Sequence, residues 1–207
     1  MKSRKSMNNF EIISDFNEYM RIFLEQNSKL NLISKNDEKY LYEKHIYDSL
    51  AIKLFFDKYS IKNVKILDIG CGGGFPSVPI AIEYPNCSVI GVDSIRKKIN
   101  AVNEIKESLN LSNLNLICDR VENLKDKYNV IVSRAVAELK KIVEYAIPRL
   151  KDDGYLVIYK SRKALKEIDF ASGALKKANA QVVDILEYTL PLEEVFERNL
   201  VIIKKIK

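Results

Sequence analysis

The chain has 207 residues, of which 47% are hydrophobic and 30% are charged, and its net charge at pH 7 is +6. This length is enough to bury one sizeable core and is short for two full domains. The positive charge favours a polyanionic partner such as nucleic acid.

The cysteines and the N-terminus indicate where the protein works. Cys71, Cys87 and Cys118 are odd in number, lack C-x-x-C spacing and lie in or beside apolar stretches. Neither a disulfide framework nor a zinc site is indicated, and a reducing cytoplasm fits this pattern. The basic first ten residues lead into no apolar signal segment, and no run approaches the ~18 apolar residues of a membrane span. We therefore expect a cytoplasmic protein that uses no metal and no membrane, and our further expectation is a monomer.

The elements, taken in chain order, change character near residue 60. Between about residues 9 and 56, apolar side chains recur at helical spacing in two segments, separated by a predicted turn and cap. After about residue 61, short apolar runs alternate with helical patterns, which is typical of a parallel α/β sheet covered on both faces. These runs are VKILDIG, CSVIGVD, NLNLIC, YNVIVS and GYLVIY. The sequence predicts an N-terminal helical extension, residues 1–60, and an α/β domain, residues 61–207.

The last two apolar runs predict a different pairing. QVVDILEYTL and NLVIIKK have no helical pattern between them, so they are expected to pair as antiparallel strands.

A glycine-rich loop follows the first predicted strand. It holds four of the seven glycines, Gly70, Gly72, Gly73 and Gly74, and a helix is predicted to begin near Pro76 or Ser77. A strand, a tight glycine turn and a helix N-terminus form the usual nucleotide pocket of open α/β sheets. The spacing matches neither the dinucleotide fingerprint G-x-G-x-x-G nor a Walker A loop. Phosphate is therefore not the indicated ligand.

Two carboxylates beside this loop narrow the ligand class. Asp68, on the strand before the loop, would oppose bound phosphate and suits a cationic amino-acid group. Asp93 ends the second predicted strand, where a carboxylate can accept hydrogen bonds from both ribose hydroxyls. A nucleoside with a cationic, phosphate-free tail is S-adenosylmethionine. The alternative is a tight structural turn with Asp93 as a helix cap.

At this point the sequence resembles a known family. LDIGCGGGFPSVPIAI, VDSIRKKINAVNEI, RVENL and IVSRAVAEL, with NLISKNDEKYLYEKHIYDSL before them, resemble the bacterial small-subunit ribosomal RNA guanine-N7 methyltransferases, also called glucose-inhibited division protein B. The resemblance extends from about Leu30 to Lys205. It implies the class I S-adenosylmethionine-dependent methyltransferase fold, a Rossmann-like, mostly parallel seven-stranded sheet with an antiparallel last strand. Ser77, Ser161 and Asn199 depart from the family, which usually has glycine, glycine and histidine there.

The resemblance also implies roles for individual residues. Gly70 and Phe75 would line the cofactor, Val121 and Glu122 would meet the adenine, and Arg134 would lie at the cofactor site as the catalytic residue. Gly72 and Gly74 belong to the same expected contact. Without the family, Val121 reads equally well as an apolar helix start. An arginine directly after NVIVS must pair with a buried carboxylate or face a ligand, and we favour the ligand.

The implied reaction is methyl transfer to guanine N7 in ribosomal RNA, presented free or in a small ribosomal subunit. N7 carries a lone pair and no proton, so the transfer needs positioning and no general base. This agrees with a chain whose single histidine, His45, we expect to pack the N-terminal helix onto the sheet. Basic residues near the ligand-binding edge are the expected RNA contacts: Lys160, Arg162, Lys163 and Arg198.

Two other classes of function stay open. One is a class I methyltransferase that acts on a small molecule or a protein, and the other is a non-catalytic cofactor-binding module. A small-molecule enzyme more often has a long lid late in the sheet, whereas residues 160–190 are accounted for by one helix and a strand. A binding module would show no turnover.

Overall fold

The computed structural model describes residues 10–134, 138–162 and 164–206. Its strands form one sheet in the order β3-β2-β1-β4-β5-β7-β6. The strands are β1 Lys65–Ile69, β2 Ser88–Asp93, β3 Leu114–Cys118, β4 Tyr128–Arg134, β5 Leu150–Ser161, β6 Ala180–Leu190 and β7 Phe196–Lys205. The first five are parallel, and β7 runs antiparallel to both β5 and β6. The predicted fold class, including the antiparallel end of the sheet, is confirmed.

The register places the strand ends that matter for the site side by side. Leu67 of β1 pairs with Ile90 of β2 on one side and with Ile131 of β4 on the other. The order of connection reverses between β1 and β4, because the chain proceeds outward through β2 and β3 before it returns to β4. Such a switch point leaves a crevice at the carboxyl ends of the strands.

Helices cover both faces of the sheet. The α-helices are α1 Asn17–Leu30, α2 Asp48–Leu50, α3 Ile52–Tyr59, α4 Ser77–Glu83, α5 Arg96–Ser108, α6 Leu139–Ala146 and α7 Ala164–Lys177. Short 3-10 helices span Lys35–Tyr40, Val121–Asn123 and Ile147–Arg149, and a π-helix spans Leu41–Tyr47. Helix α4 begins at Ser77, as predicted for the helix after the glycine loop.

The second predicted helical segment differs from a plain α-helix. Ser34 begins it as a cap, since its side chain accepts a hydrogen bond from the N–H of Asp37 at 3.2 Å. A 3-10 helix and the π-helix follow. Leu41 and Ile46 are five residues apart and both fully buried. The wider π-helical turn brings residues at this spacing toward one face, whereas an α-helix would separate them.

The buried core extends across the change of character near residue 60. One cluster joins Phe23 and Phe55 of the N-terminal segment to Ile66 and Val130 of the central strands. A second cluster, on the opposite face, contains the apolar sides of α6 and α7. The N-terminal segment is thus packed on the sheet and shares the core of the α/β domain.

Candidate functional site

A cleft of about 740 Å³ opens at the carboxyl edge of the sheet, at the switch point between β1 and β4. Its wall combines the glycine loop after β1, the ends of β2, β3 and β4, and the N-terminal segment. The sequence-predicted residues in this wall are Gly70, Gly72, Phe75, Asp93, Val121, Glu122 and Arg134. The structure therefore brings together at one cleft seven residues predicted from four separate parts of the chain.

The glycine loop is held to β2 by a carboxylate. The backbone N–H of Gly72 donates to one oxygen of Asp93 at 2.9 Å, and the N–H of Ile95 donates to the other at 2.8 Å. Gly72 has φ +54°, a conformation that side chains with a Cβ rarely adopt. A Cβ on Gly72 would meet open space, with the carbonyl oxygen of Gly70 at 3.9 Å as its nearest neighbour.

Two predicted contacts lie outside the wall of the cleft. Asp68 is fully buried beneath the loop, and Gly74 faces the side chains of Val78 and Val102, which a Cβ would approach to 2.8 and 3.1 Å. One oxygen of Asp68 accepts hydrogen bonds from the N–H (3.2 Å) and the hydroxyl of Ser77. Burial raises the pKa of Asp68 to about 7. Ser77, which departs from the family pattern, thus fastens the start of α4 to β1.

Arg134 forms a buried ion pair and also lies in the wall of the cleft. Its Nη1 donates to Oδ2 of buried Asp48 at 3.0 Å and to the carbonyl oxygen of Lys44 at 3.1 Å. The guanidinium also lies over the ring of Phe75, 5.2 Å from its centroid, and lines the cleft. Arg134 is therefore paired with a buried carboxylate and lines the cleft, and its contact with a ligand stays a prediction.

His45 lies beside Arg134 in the cleft wall. Its Nδ1 is 3.1 Å from Nη2 of Arg134 and, because arginine has no acceptor, Nδ1 must accept and Nε2 must carry the proton. Burial, with the nearby charge of Arg134, lowers the pKa of His45 to about 4. Its ring packs against Phe75 at a centroid distance of 5.0 Å. His45 is therefore neutral near pH 7 and packs the N-terminal segment onto the loop.

The far end of the cleft follows β3. Val121 is buried and Glu122 is exposed at the start of a 3-10 helix, and both line the cleft. Asp119 lines it too, and its Oδ1 accepts from the N–H of Arg120 at 2.7 Å and the side chain of Asn123 at 2.6 Å. Asp119 and Lys98 were not predicted as site residues. Asp119 could have been predicted from its position just after β3, and Lys98 from its position in the first turn of α5, because both positions lie at the carboxyl edge of the sheet.

The predicted RNA contacts are in different environments. Lys160 is paired with Glu167 at 2.6 Å, and Arg198 donates from Nε and Nη2 to the two oxygens of Asp48 at 3.0 and 3.1 Å. Arg162 is exposed just after β5, and Lys163 lies outside the described residues. Asn199 and Ser161, which also depart from the family pattern, are hydrogen-bonded to each other. The side chain of Asn199 donates to the carbonyl oxygen of Ser161 at 3.1 Å.

Within residues 10–134, 138–162 and 164–206, no three His, Cys, Asp or Glu side chains are grouped so that they could hold a metal ion. No helix in the same ranges combines the length and apolar character needed to cross a bilayer.

Comparison with solved structures identifies the fold. The ribosomal protein L11 methylase of Lactobacillus delbrueckii subsp. bulgaricus superimposes with a TM-score of 0.60 at 15% identity, covering 78% of this chain and 80% of its own. TYW2 of M. jannaschii, solved in complex with AdoMet, gives a TM-score of 0.58 at 15% identity, covering 77% of each chain.

Comparison of sequences identifies the family. A protein of Listeria welshimeri is 35% identical over 201 residues, 94% of this chain and 83% of the relative, and one of Staphylococcus saprophyticus is 36% identical over 195 residues, 92% and 80%. Both are named ribosomal RNA small subunit methyltransferase G. The family GidB, described as rRNA small subunit methyltransferase G, matches residues 12–200. With its fold, its cleft and these matches, the chain belongs to the GidB family of small-subunit ribosomal RNA methyltransferases.

Proposed function

We propose that this enzyme transfers a methyl group from S-adenosylmethionine to N7 of a guanine in small-subunit ribosomal RNA. The observation that carries the proposal is the cleft at the switch point, with the glycine loop on one strand end and Asp93 on the next, in a chain of the GidB family. This is the edge of an open α/β sheet where ligands bind.

The lining of the cleft fits this cofactor. Gly72 offers a backbone surface without a Cβ, and the carboxylates of Asp93 and Asp119 can accept hydrogen bonds from a ribose and an adenine amine. Buried Val121 supplies apolar surface for a purine ring. The proposed cofactor residues are Gly70, Gly72, Phe75, Asp93, Val121, Glu122 and Arg134. In this proposal, Asp68 and Gly74 support the loop from behind.

The proposed reaction requires the protein to orient the methyl donor and the guanine relative to each other. When bound, S-adenosylmethionine supplies an electrophilic methyl group on a sulfonium. Guanine N7 has a lone pair and no proton to lose, so His45, which is neutral near pH 7, need not act as a base. Arg134 is the proposed catalytic residue, because its guanidinium lies in the cleft wall over Phe75 with its orientation fixed.

The proposed RNA surface lies at the same edge. Arg162 is exposed directly after β5. Lys160, Lys163 and Arg198 are kept in the proposal as the RNA contacts expected from the sequence. A positive edge beside the cleft is where an RNA backbone must lie to deliver a base. The enzyme is expected to work as a cytoplasmic monomer.

The test is transfer of labelled methyl from S-adenosylmethionine to ribosomal RNA of a strain that lacks this enzyme, offered as naked RNA and as small subunits. We expect 7-methylguanosine at one position by mass mapping of the RNA. Methyl incorporation into protein alone would support the alternative methyltransferase. No turnover with any substrate, despite cofactor binding, would indicate the binding module.

A matched pair of variants tests the RNA surface. Arg162→Gln should weaken RNA binding and reduce the slope of log K against log salt by about 0.7 if one phosphate contact is lost. Lys62→Gln removes a charge that is also exposed but lies before β1, at the opposite edge, and should leave both the RNA affinity and its salt slope unchanged. Equal effects of the two variants would mean that net charge alone attracts RNA.

A further inference from the structure

Asp48 lies outside the wall of the cleft and yet anchors an arginine that lines it. Its side chain is 2% exposed and accepts four hydrogen bonds from three strands of the sheet. Tyr188 of β6 donates to Oδ1 at 2.6 Å, and the guanidinium groups of Arg134 and Arg198 supply the other three bonds. One carboxylate of the N-terminal segment therefore ties together β4, β6 and β7.

The charge on this carboxylate is maintained by its partners. Burial alone would raise the pKa of Asp48, but the charges of Arg198 and Arg134 hold it below its ordinary value. Removal of the Asp48 charge would leave two largely buried guanidiniums without this counter-charge. Two guanidiniums share a single carboxylate here, so their positions depend on it.

Within the described residues, the hydrogen-bond partners of the Arg134 guanidinium lie in the N-terminal segment. Asp48 and the carbonyl oxygen of Lys44 accept from Nη1, and Nδ1 of His45 accepts from Nη2. An arginine side chain is long and flexible, so a planar guanidinium stays in one orientation only when its hydrogen-bond partners are fixed. Asp48 is the charged partner among the three.

We propose that Asp48 is a positioning residue for methyl transfer, which holds the Arg134 guanidinium at the cleft and Arg198 at the adjoining substrate edge through one carboxylate. This inference rests on the proposed function. The cofactor side and the substrate side of the site then share an anchor that lies in the N-terminal segment.

The kinetic test is a double-mutant cycle. Asp48→Asn keeps the shape of the side chain and removes its charge, and we expect kcat on ribosomal RNA to fall about 100-fold, the size of effect that a small misplacement of a reacting group can have. Arg134→Lys should also lower kcat. If Asp48 acts through Arg134, adding Asp48→Asn to Arg134→Lys should cost no more than about 3-fold further. Losses that multiply would overturn the proposal.

A matched control separates positioning from stability. Asp184→Asn breaks a different ion pair, between Asp184 on β6 and Lys58 at 2.5 Å, and its amide oxygen can still accept the hydrogen bond of Tyr59. Asp184 is not in the cleft wall. This variant should lower Tm and leave kcat unchanged. If Asp48→Asn does not fold, Tyr188→Phe removes one hydrogen bond from Asp48 without removing charge. A lower kcat in Tyr188→Phe would support the proposal, and an unchanged kcat would overturn it.

A structural readout makes the outcome independent of activity. The chain has a mass of 23.8 kDa, so the Nε–H resonances of its arginines are accessible to NMR, and the Arg134→Lys spectrum identifies the signal of Arg134. Asp48→Asn, or Tyr188→Phe in its place, should shift and broaden that signal. An unchanged Arg134 signal overturns the inference. Absence of methyl transfer by the wild-type enzyme would refute the proposed function instead.

Discussion

The same added methyl group should weaken mainly ligand binding at Gly72 and mainly the stability of the fold at Gly74. In Gly72→Ala the new Cβ meets open space, so the main cost is a left-handed backbone, about 1 kcal/mol of unfolding free energy. The methyl group would, however, occupy surface where we propose that the cofactor touches the loop. We expect binding of S-adenosylhomocysteine to weaken about 10-fold, or about 1.4 kcal/mol.

Gly74→Ala should affect stability more strongly. Its backbone has φ +92°, and its Cβ would come within 2.8 Å of Val78 and 3.1 Å of Val102. Backbone strain of about 1–2 kcal/mol adds to overpacking of about 1–3 kcal/mol, so the free energy of unfolding should fall by about 3 kcal/mol. At a temperature where the variant is folded, its affinity for S-adenosylhomocysteine should stay within about 3-fold of wild type, about 0.65 kcal/mol.

Urea unfolding measures the free energy of unfolding of both variants, and titration calorimetry measures their affinity for S-adenosylhomocysteine. Gly173→Ala is the matched control, because Gly173 is exposed inside α7 and a Cβ there meets nothing within 4 Å. It should raise stability by about 0.5–1 kcal/mol without affecting binding. Normal binding by Gly72→Ala, or equal stability of Gly72→Ala and Gly74→Ala, would refute this division of the loop.

Three further predictions concern titratable groups. The pKa of His45 is lowered to about 4 in the folded protein, so the unfolded chain takes up its proton first as pH falls from about 6.5. The contribution of His45 to the free energy of unfolding, measured with urea in the wild type and in His45→Gln, should therefore decline between these values. The slope of the free energy of unfolding against pH should be less positive in His45→Gln than in the wild type, and an identical slope would contradict the assignment. Asp68 has a raised pKa of about 7, so its contribution to the free energy of unfolding has the opposite sign and should decrease as pH rises from about 4 to about 7. Asp68→Asn should lose this part of the pH dependence, and a variant with the wild-type profile would argue against it. Among the thiols, Cys71 and Cys87 are buried and Cys118 is partly exposed. A thiol reagent should modify one cysteine rapidly in the native protein, and Cys118→Ser should abolish that phase; a fast phase that persists would place the reactive thiol elsewhere.

Local patterns were sufficient to predict the sheet and the position of the cleft. The central strands are buried on both faces and therefore appear as continuous apolar runs. The glycine loop directly follows β1, so its place at the carboxyl edge follows from the topology of parallel sheets. The same logic placed Asp93 and Arg134 at this edge, because each ends a strand.

The partners of Arg134 could not be predicted in the same way. Asp48 is 86 residues from Arg134, 140 from Tyr188 and 150 from Arg198, and no periodicity connects positions so far apart. In the sequence of its own segment, Asp48 stands among residues with helical spacing, where an aspartate is usually exposed to solvent. The π-helix could not be predicted either, because the five-residue spacing between Leu41 and Ile46 resembles an imperfect α-helical pattern. These features depend on tertiary packing, which overrides local propensity.

The aromatic packing of α1 against the loop has a consequence for local unfolding. Tyr19 and Phe23 of α1 contact the ring of Phe75 at centroid distances of 6.2 and 5.0 Å, and Phe75 also lines the cleft. Opening of α1 would uncover this ring and loosen the loop, so the two should open as one cooperative unit. In hydrogen exchange, the amides of α1 and of residues 70–75 should then show similar opening free energies. A ligand in the cleft should slow exchange in both, which would make the N-terminal helix a reporter of cofactor occupancy.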